Sequence, residues 1–172
     1  MIKKRILILF AHPAFHKSRV NKKMINEINE IEGITFINLY EEYPDFQIDI
    51  SKEQDLLLNH DIIIWHHPFY WYSAPAILKE WIDLVLQHGF AYGRMGTALK
   101  NKQVLSVITT GGRREAYQTE GFNQYTMQGR YQGCQRACKE TTEYFVKRWR
   151  LYLLARSYNI KRCVLGKHGS VV

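Results

Sequence analysis

The chain has 172 residues, 46% of them hydrophobic and 23% charged, which is typical of one globular domain with a substantial core. No apolar run approaches the roughly 20 residues of a membrane-spanning helix, and residues 6–11 are too short for a signal-peptide core, so we expect a cytoplasmic protein. The formal net charge of +8 would suggest a nucleic-acid partner, but residues 1–126 carry 14 Lys and Arg against 14 Asp and Glu, so we expect none.

Residues up to about position 110 predict strands that alternate with helices. Apolar runs of strand length are bounded by turn residues, and the segments between them repeat apolar residues at helical spacing. The predicted elements, in chain order, are a strand over 4–11, a helix that follows the N-cap Ser18 and ends at Gly33, a strand over 34–40, a short helix with Ser51 as its N-cap that runs through Leu58, a strand over 61–65, a helix starting at Pro75 and a strand over 102–110. This order is typical of an α/β fold, a doubly wound parallel sheet with helices on both faces.

The end of the chain has a different composition. Residues 127–172 carry 10 Lys and Arg against 2 acidic residues, they hold all three cysteines, and no proline follows Pro75. Weak patterns suggest a basic helix over 127–156 and a fifth strand over 160–165. We expect one domain over residues 1–172 with an atypical basic segment from 127. A divergent tail and an altered reading frame both explain this segment.

Apolar spacing also predicts the buried face of the helices. In the first helix, these are Val20, Met24, Ile28 and Ile31, and in the helix after Pro75 they are Leu78, Ile82 and Val85.

Three predicted loops follow strands, and in a parallel sheet such loops meet at one edge. The first runs from His12 into the helix after Ser18, and the free N–H groups at a helix amino terminus favour a phosphate. Ser18 and Asn21 add a hydroxyl and an amide, while Lys17 and Arg19 add positive potential. The loop has no glycine, so it is neither a dinucleotide fingerprint nor a Walker A loop. Taken alone, a Ser N-cap is more often only a cap.

The second loop contains four consecutive aromatic residues, Phe69–Tyr72. Such a run fits neither a helix nor an alternating strand, and it favours a loop that presents flat faces to a planar ligand. The alternative is an aromatic cluster at a subunit contact. The third loop, Thr109–Gly112, offers hydroxyls and a backbone that a ligand can approach closely. Together the three loops predict a pocket for a flavin nucleotide.

Other candidate sites are weaker. His66 and His67 are adjacent in a strand and point to opposite faces, so we expect no metal. Cys134 and Cys138 have neither zinc nor redox spacing.

Four motifs carry a family resemblance. They are His12-Pro13, Ser18-x-x-Asn21, Trp65-x-x-Pro68-x-x-Trp71-Tyr72-Ser73-x-Pro75 and Thr109-Thr110-Gly111-Gly112. Over about residues 4–126 the chain resembles the flavodoxin-like NAD(P)H:quinone oxidoreductases, whose bacterial members include ancillary subunits of glutathione-gated potassium efflux systems. The resemblance implies a flavodoxin-like fold, bound FMN (alternatively FAD), NAD(P)H as co-substrate, a quinone-like acceptor and a homodimer. It also implies an alternative role as a regulatory subunit at a membrane transporter, with incidental reductase activity.

The resemblance assigns roles to individual residues. The residues at the flavin phosphate would be His12, Ser18, Arg19, Val20 and Asn21. Those around the flavin ring would be Pro68, Phe69, Tyr70, Trp71 and Tyr72, with Thr109, Thr110, Gly111 and Gly112 bonded to its polar edge. Tyr117 would be the catalytic hydrogen-bond donor to negative charge that develops during transfer. Where the family often has histidine six residues later, this chain has Asn123, and after the fourth strand's helix it lacks the family's usual Pro-Pro segment.

Overall fold

The computed structural model describes residues 4–28, 31–71, 73–122 and 124. Its elements are β1 (Ile6–Phe10), α1 (Arg19–Ile28), β2 (Ile34–Asn38), α2 (Leu39–Glu42), α3 (Ile50–Asn59), β3 (Ile62–Pro68), α4 (Ala76–Val85) and β4 (Gln103–Thr109), with short 3-10 helices at Phe15–Lys17 and Arg114–Tyr117. The four strands form one sheet in the order β2-β1-β3-β4, and every pairing is parallel. The predicted doubly wound parallel sheet is therefore confirmed.

Side chains from β1 alternate between two apolar layers. Leu7 and Leu9 face the larger layer, which includes Trp81 of α4 and Leu57 of α3. Ile6 and Ile8 face the other layer, with Ile28 of α1. Because α1 covers one face while α3 and α4 cover the other, the prediction of helices on both faces is also confirmed. All five residues of β1 are buried, as expected for a central parallel strand.

The buried face of α1 agrees with the predicted face at Ile28 and differs from it in the first two turns. Its buried residues are Asn21, Ile25 and Ile28, whereas Val20 is 51% exposed and Met24 is only half-buried. The prediction followed hydrophobicity, so it did not include the polar Asn21 in the buried face. Hydrogen bonds, rather than apolar character, make that burial favourable.

Two boundaries in the following segment were predicted wrongly. The strand predicted over 34–40 ends at Asn38, and the four-residue α2 follows it directly. Helix α3 begins at Ile50, because Oδ1 of Asp49 accepts a 3.0 Å hydrogen bond from the backbone N–H of Lys52. Asp49, and not Ser51, is therefore its N-cap.

Strand β3 is longer than the predicted strand over 61–65. It continues through His66 and His67 to Pro68, which pairs with Thr109 at the end of β4. The aromatic loop therefore begins at Phe69.

None of the described helices is long and apolar enough to cross a membrane. The helix and strand predicted within 127–172 lie outside the described residues.

Candidate functional site at the carboxyl edge of the sheet

Hydrogen bonds join the three predicted loops at the carboxyl ends of the strands. The backbone N–H of Phe69 donates to the carbonyl of Thr109 at 2.8 Å, which links the second loop to the third. The side-chain amide of Asn21 reaches Thr109 Oγ1 at 3.3 Å, which links the first loop to the third. The sheet therefore assembles hydroxyl, amide and aromatic groups from distant parts of the sequence on one edge.

His12 lies half-buried where the chain leaves β1. Its Nδ1 accepts a hydrogen bond from the backbone N–H of Ala14 at 3.1 Å, so the neutral ring carries its proton on Nε2. Burial lowers the pKa of His12 below its ordinary value, which keeps the ring neutral at pH 7. The ring stacks near Phe10 and meets Tyr70 edge-on at a centroid distance of 6.4 Å. His12 therefore presents an N–H donor beside the aromatic loop.

Ser18 caps α1 as predicted. Its Oγ accepts hydrogen bonds from the backbone N–H of Asn21 at 3.3 Å and from the Asn21 side-chain amide at 2.7 Å. A hydroxyl has two acceptor lone pairs and one proton. With the Asn21 amide in this orientation both lone pairs are used, and the Ser18 proton is left to donate to another group. Because the dipole and the free N–H groups of a helix amino terminus favour negative charge, an anion is the most favourable acceptor for this proton.

His66 is a site residue that the sequence interpretation did not assign. Its ring is buried, and Nε2 lies 2.8 Å from Oδ1 of Asn21. Burial lowers the pKa of His66 to about 3, so the ring is neutral at physiological pH. Strand alternation did place His66 and His67 on opposite faces. His66 pairs with Phe10 of β1, on the face of the sheet that α1 covers, and the sequence alone does not show this register.

Arg19 and Val20, which were also predicted at the phosphate end, are both exposed at the start of α1. Arg19 carries a positive charge at the first position of α1, next to Ser18 in the chain, and no ion pair among the described residues neutralises it. Val20 offers only its backbone N–H to a ligand at this helix end.

The aromatic loop forms a tight turn in which Tyr70 and Ser73 exchange backbone hydrogen bonds of 3.2 and 2.8 Å. Trp71 lies at its tip with a φ of 46° and is 94% exposed. Left-handed backbone is unfavourable for a residue with a Cβ, so this turn holds Trp71 outward at an energetic cost. Pro68 is buried beneath the loop, and Tyr72 lies outside the described residues. The structure therefore brings Phe69 and Tyr70 to the site and leaves Trp71 in solvent.

The third loop meets the aromatic loop through Tyr117. The Tyr117 ring contacts that of Phe69 edge-to-face, with centroids 6.0 Å apart. A Cβ added to Gly112 would lie 3.1 Å from the Tyr117 hydroxyl, so the absent side chain lets the ring lie close to the backbone. Thr110 Oγ1 donates to the carbonyl of Gly112 at 3.1 Å, which shapes the turn. A Cβ on Gly111 would meet nothing within 4 Å, so this glycine faces open space.

These groups fit a flavin mononucleotide in the chemistry of their donors. Ser18 and the start of α1 offer hydrogen-bond donors and positive potential to a phosphate. Phe69 and Tyr70 offer aromatic surface to a planar ring system, and the turn at Gly111 leaves room for close approach. Among the described residues, no three His, Cys, Asp or Glu side chains lie together as metal ligands would. Asn123 lies outside the described residues.

Comparison with known proteins gives the family. Residues 4–138 match the model of a family described as having the flavodoxin-like fold. The chain is 51% identical over 107 residues to the glutathione-regulated potassium-efflux system ancillary protein KefF of Enterobacter sp. (strain 638). That alignment covers 62% of this chain and 61% of the relative, so the chain spans less than two thirds of the relative's length.

Solved structures agree with this assignment. A chain described as a thermophilic tryptophan halogenase from Streptomycin violaceusniger has a TM-score of 0.74 and 41% identity, with 77% of both chains covered. General stress protein 14 of Treponema denticola, in complex with FMN, has a TM-score of 0.73 and 32% identity over 81% of this chain and 79% of that one. An NADPH-quinone reductase from P. pentosaceus has a TM-score of 0.70 and 30% identity, with 80% of this chain and 78% of that one covered. The protein belongs to this flavodoxin-like family, which includes NADPH-quinone reductases.

Proposed function

We propose that the protein is a flavin-dependent oxidoreductase that takes reducing equivalents from NAD(P)H and passes them to a quinone-like acceptor. The observation that carries this proposal is the position of Ser18, with its unused hydroxyl proton, on the same sheet edge as the Phe69–Tyr117 ring pair. An anion site next to an aromatic surface suits a phosphorylated planar cofactor. The FMN complex of one relative and the quinone reductase name of another support the same chemistry.

Each group at the site has a role in this proposal. Ser18 and the first N–H groups of α1 would hold the phosphate, Asn21 would orient the Ser18 hydroxyl, and neutral His12 would donate from Nε2. Phe69 and Tyr70 would lie beside the ring system, while Thr109, Thr110 and the glycine turn would meet its polar edge. The bound flavin would supply two-electron redox chemistry, and the protein would orient the reactants.

Tyr117 is the residue we propose to act during transfer. Its half-buried hydroxyl lies against Gly112 and its ring against Phe69, at the junction of two loops. A phenol there can donate a hydrogen bond to an oxygen on which negative charge develops. That interaction strengthens as the charge forms, so it would favour the transition state over the bound reactants.

The test starts from the visible absorbance spectrum of the purified protein and the identity of the released chromophore. We expect stoichiometric FMN, followed by NAD(P)H oxidation that depends on added quinone. FAD in place of FMN would correct the cofactor, whereas a folded protein that takes up neither flavin would refute the proposal. Comparison of NADH with NADPH in the same assay identifies the preferred donor.

A second role is favoured by the 51% identity to an efflux-system ancillary protein. In that role the chain would bind a membrane potassium-efflux transporter, and its reductase activity would be incidental. Pull-down of detergent-solubilised membranes with the tagged protein, followed by identification of any channel or transporter retained, tests this. A retained transporter whose efflux changes on addition of the protein would support regulation, and no retained transporter would oppose it. A homodimer and a cytoplasmic location stay predictions.

A further inference from the structure

Ser18, Asn21, His66 and Thr109 form one connected set of hydrogen bonds beneath the first loop. The Asn21 side chain is 1% exposed and lies at the centre. Its amide nitrogen lies 2.7 Å from Ser18 Oγ and 3.3 Å from Thr109 Oγ1, and its oxygen lies 2.8 Å from His66 Nε2. Both N–H groups of the Asn21 amide and one acceptor position of its oxygen are therefore engaged by three partners, which come from the loop before α1, from β3 and from β4.

The direction of these bonds has two self-consistent arrangements. In the first, Asn21 donates to both hydroxyl oxygens and accepts from His66, so the Ser18 and Thr109 protons stay available. In the second, the amide is turned over, accepts both hydroxyl protons and donates to His66. Only the first arrangement leaves hydroxyl protons for a ligand, and only the second uses them inside the protein.

We propose that His66 is the positioning residue that selects the first arrangement, by donating its Nε2 proton to Oδ1 of Asn21. His66 would thereby give the two hydroxyls their donor character and create a phosphate subsite without touching the phosphate. This inference rests on the proposed function, because it concerns the phosphate end of the proposed flavin site.

The surroundings of His66 suit this role. The ring meets Phe10 edge-on at a centroid distance of 5.1 Å and is fully enclosed, so water does not compete for Nε2. Burial holds the pKa of His66 at about 3, and the ring stays uncharged over the whole physiological range. A neutral donor orients Asn21 without adding a charge that would itself attract or repel the phosphate.

The first experiment compares the dissociation constants of FMN and riboflavin, which differ only in the phosphate, by flavin fluorescence quenching. We expect the preference of the wild-type protein for FMN to fall about 10-fold or more in His66→Leu, while riboflavin affinity changes less than about 3-fold. His66→Gln keeps an N–H donor and should restore most of the preference. An unchanged preference in His66→Leu, or a wild-type protein that binds both flavins equally, would overturn the inference.

Matched variants separate positioning from simple damage to the fold. His60 is also a buried histidine, held by Thr35 at 2.7 Å and by the carbonyl of Leu56, at the opposite end of the strands. His60→Leu should lower stability and leave the FMN preference unchanged. If His66 acts through Ser18, then adding His66→Leu to Ser18→Ala should cause little further loss of preference. Additive losses would mean that His66 acts by another route.

A second measurement does not need flavin binding. Long-range ¹H–¹⁵N correlation spectra of the imidazole rings report which nitrogen of His66 carries the proton. A proton on Nε2 supports the inference, and a proton on Nδ1 overturns it. If the protein bound neither flavin, the proposed function would fail, and this spectrum would still decide whether His66 orients Asn21.

Discussion

Nε1 of Trp81 donates a 2.8 Å hydrogen bond to Oε2 of Glu53, and both side chains are completely buried. The hydroxyl of Tyr43 donates to the other carboxylate oxygen at 2.7 Å. Burial, together with the bond to Glu53, raises the pKa of Tyr43, so this residue stays a donor. A carboxylate held by two donors thus joins α3 to α4 and to the segment after α2.

We expect Glu53→Gln to destabilise the protein by about 1–3 kcal/mol, because the new amide NH₂ would face one of two donors. Trp81 can only donate, so the amide oxygen would face Trp81 and the NH₂ would face the hydroxyl of Tyr43. The buried Tyr43 proton would then lose its acceptor. The free energy of unfolding in urea measures this. Glu42→Gln makes the same chemical change in an exposed ion pair with Lys52 and should cost less than about 1 kcal/mol. Equal losses in the two variants would show that the buried carboxylate has no special role.

Stability should fall as the pH is lowered below about 6.5, because burial holds the pKa of His66 at about 3 and of His67 at about 4. Between these values and the ordinary value of 6.5, the unfolded chain binds more protons than the folded one. Each histidine then contributes a slope of up to about 1.4 kcal/mol per pH unit, with stability complete above the unfolded pKa.

Urea midpoints between pH 7.5 and pH 4.5 measure this dependence. His66→Gln removes one of the two titrating groups, so its stability should vary less steeply with pH than that of the wild-type protein. Parallel curves for the two proteins would mean that folding does not lower the pKa of His66.

The two glycines of the third loop should respond differently to alanine. Gly111→Ala adds a Cβ in open space and should raise the free energy of unfolding by about 0.4–1 kcal/mol, through the reduced freedom of the unfolded chain. Gly112→Ala should fall short of that gain, because its Cβ would press on the Tyr117 ring at 3.1 Å. For flavin affinity the order of the two variants should be the opposite. Gly111→Ala should weaken flavin binding more than Gly112→Ala, since only Gly111→Ala fills space that a ligand would use. Identical effects at both positions would contradict this arrangement.

Tyr117→Phe should slow quinone reduction by at least about 10-fold while changing FMN affinity less than about 3-fold, because the hydroxyl would act only as charge develops. Steady-state rates and flavin quenching give the two numbers. Tyr43→Phe also removes one hydroxyl, but from the core, so it should lower stability and leave turnover of the folded enzyme intact. Unchanged turnover in Tyr117→Phe would remove this residue from the mechanism.

The elements predicted best are those determined by apolar runs. β1 is buried throughout and matches a continuous apolar segment, and the alternation of strands and helices predicted the parallel sheet without its strand order. The errors occur where polar interactions determine which residue is buried or where a helix begins. Asn21 is turned inward by hydrogen bonds to three polar groups, and Asp49 replaces Ser51 as a cap through one side-chain bond. Hydrophobic periodicity carries no signal for either.

The candidate site was predicted by residue type more than by geometry. Sequence motifs indicated the three loops, and the structure joins them through Phe69, Thr109 and Asn21. The exposure of Trp71 could not be predicted, because it depends on a left-handed backbone at a tight turn. The role of His66 could not be predicted either, since it depends on the contact of its ring with Asn21 of α1.

The different exposure of Trp71 and Trp81 also makes these two residues intrinsic fluorescence probes. An indole in solvent emits at longer wavelength than one enclosed in an apolar core, and these two are 94% and 0% exposed. A molecule that covers the turn at Trp71 should reduce the long-wavelength part of the fluorescence and leave the emission of Trp81 unchanged. Unfolding of the core should shift the emission of Trp81 to longer wavelength. In a variant whose other two tryptophans, Trp65 and Trp149, are replaced by phenylalanine, occupancy of the loop and integrity of the fold could thus be followed separately without a label.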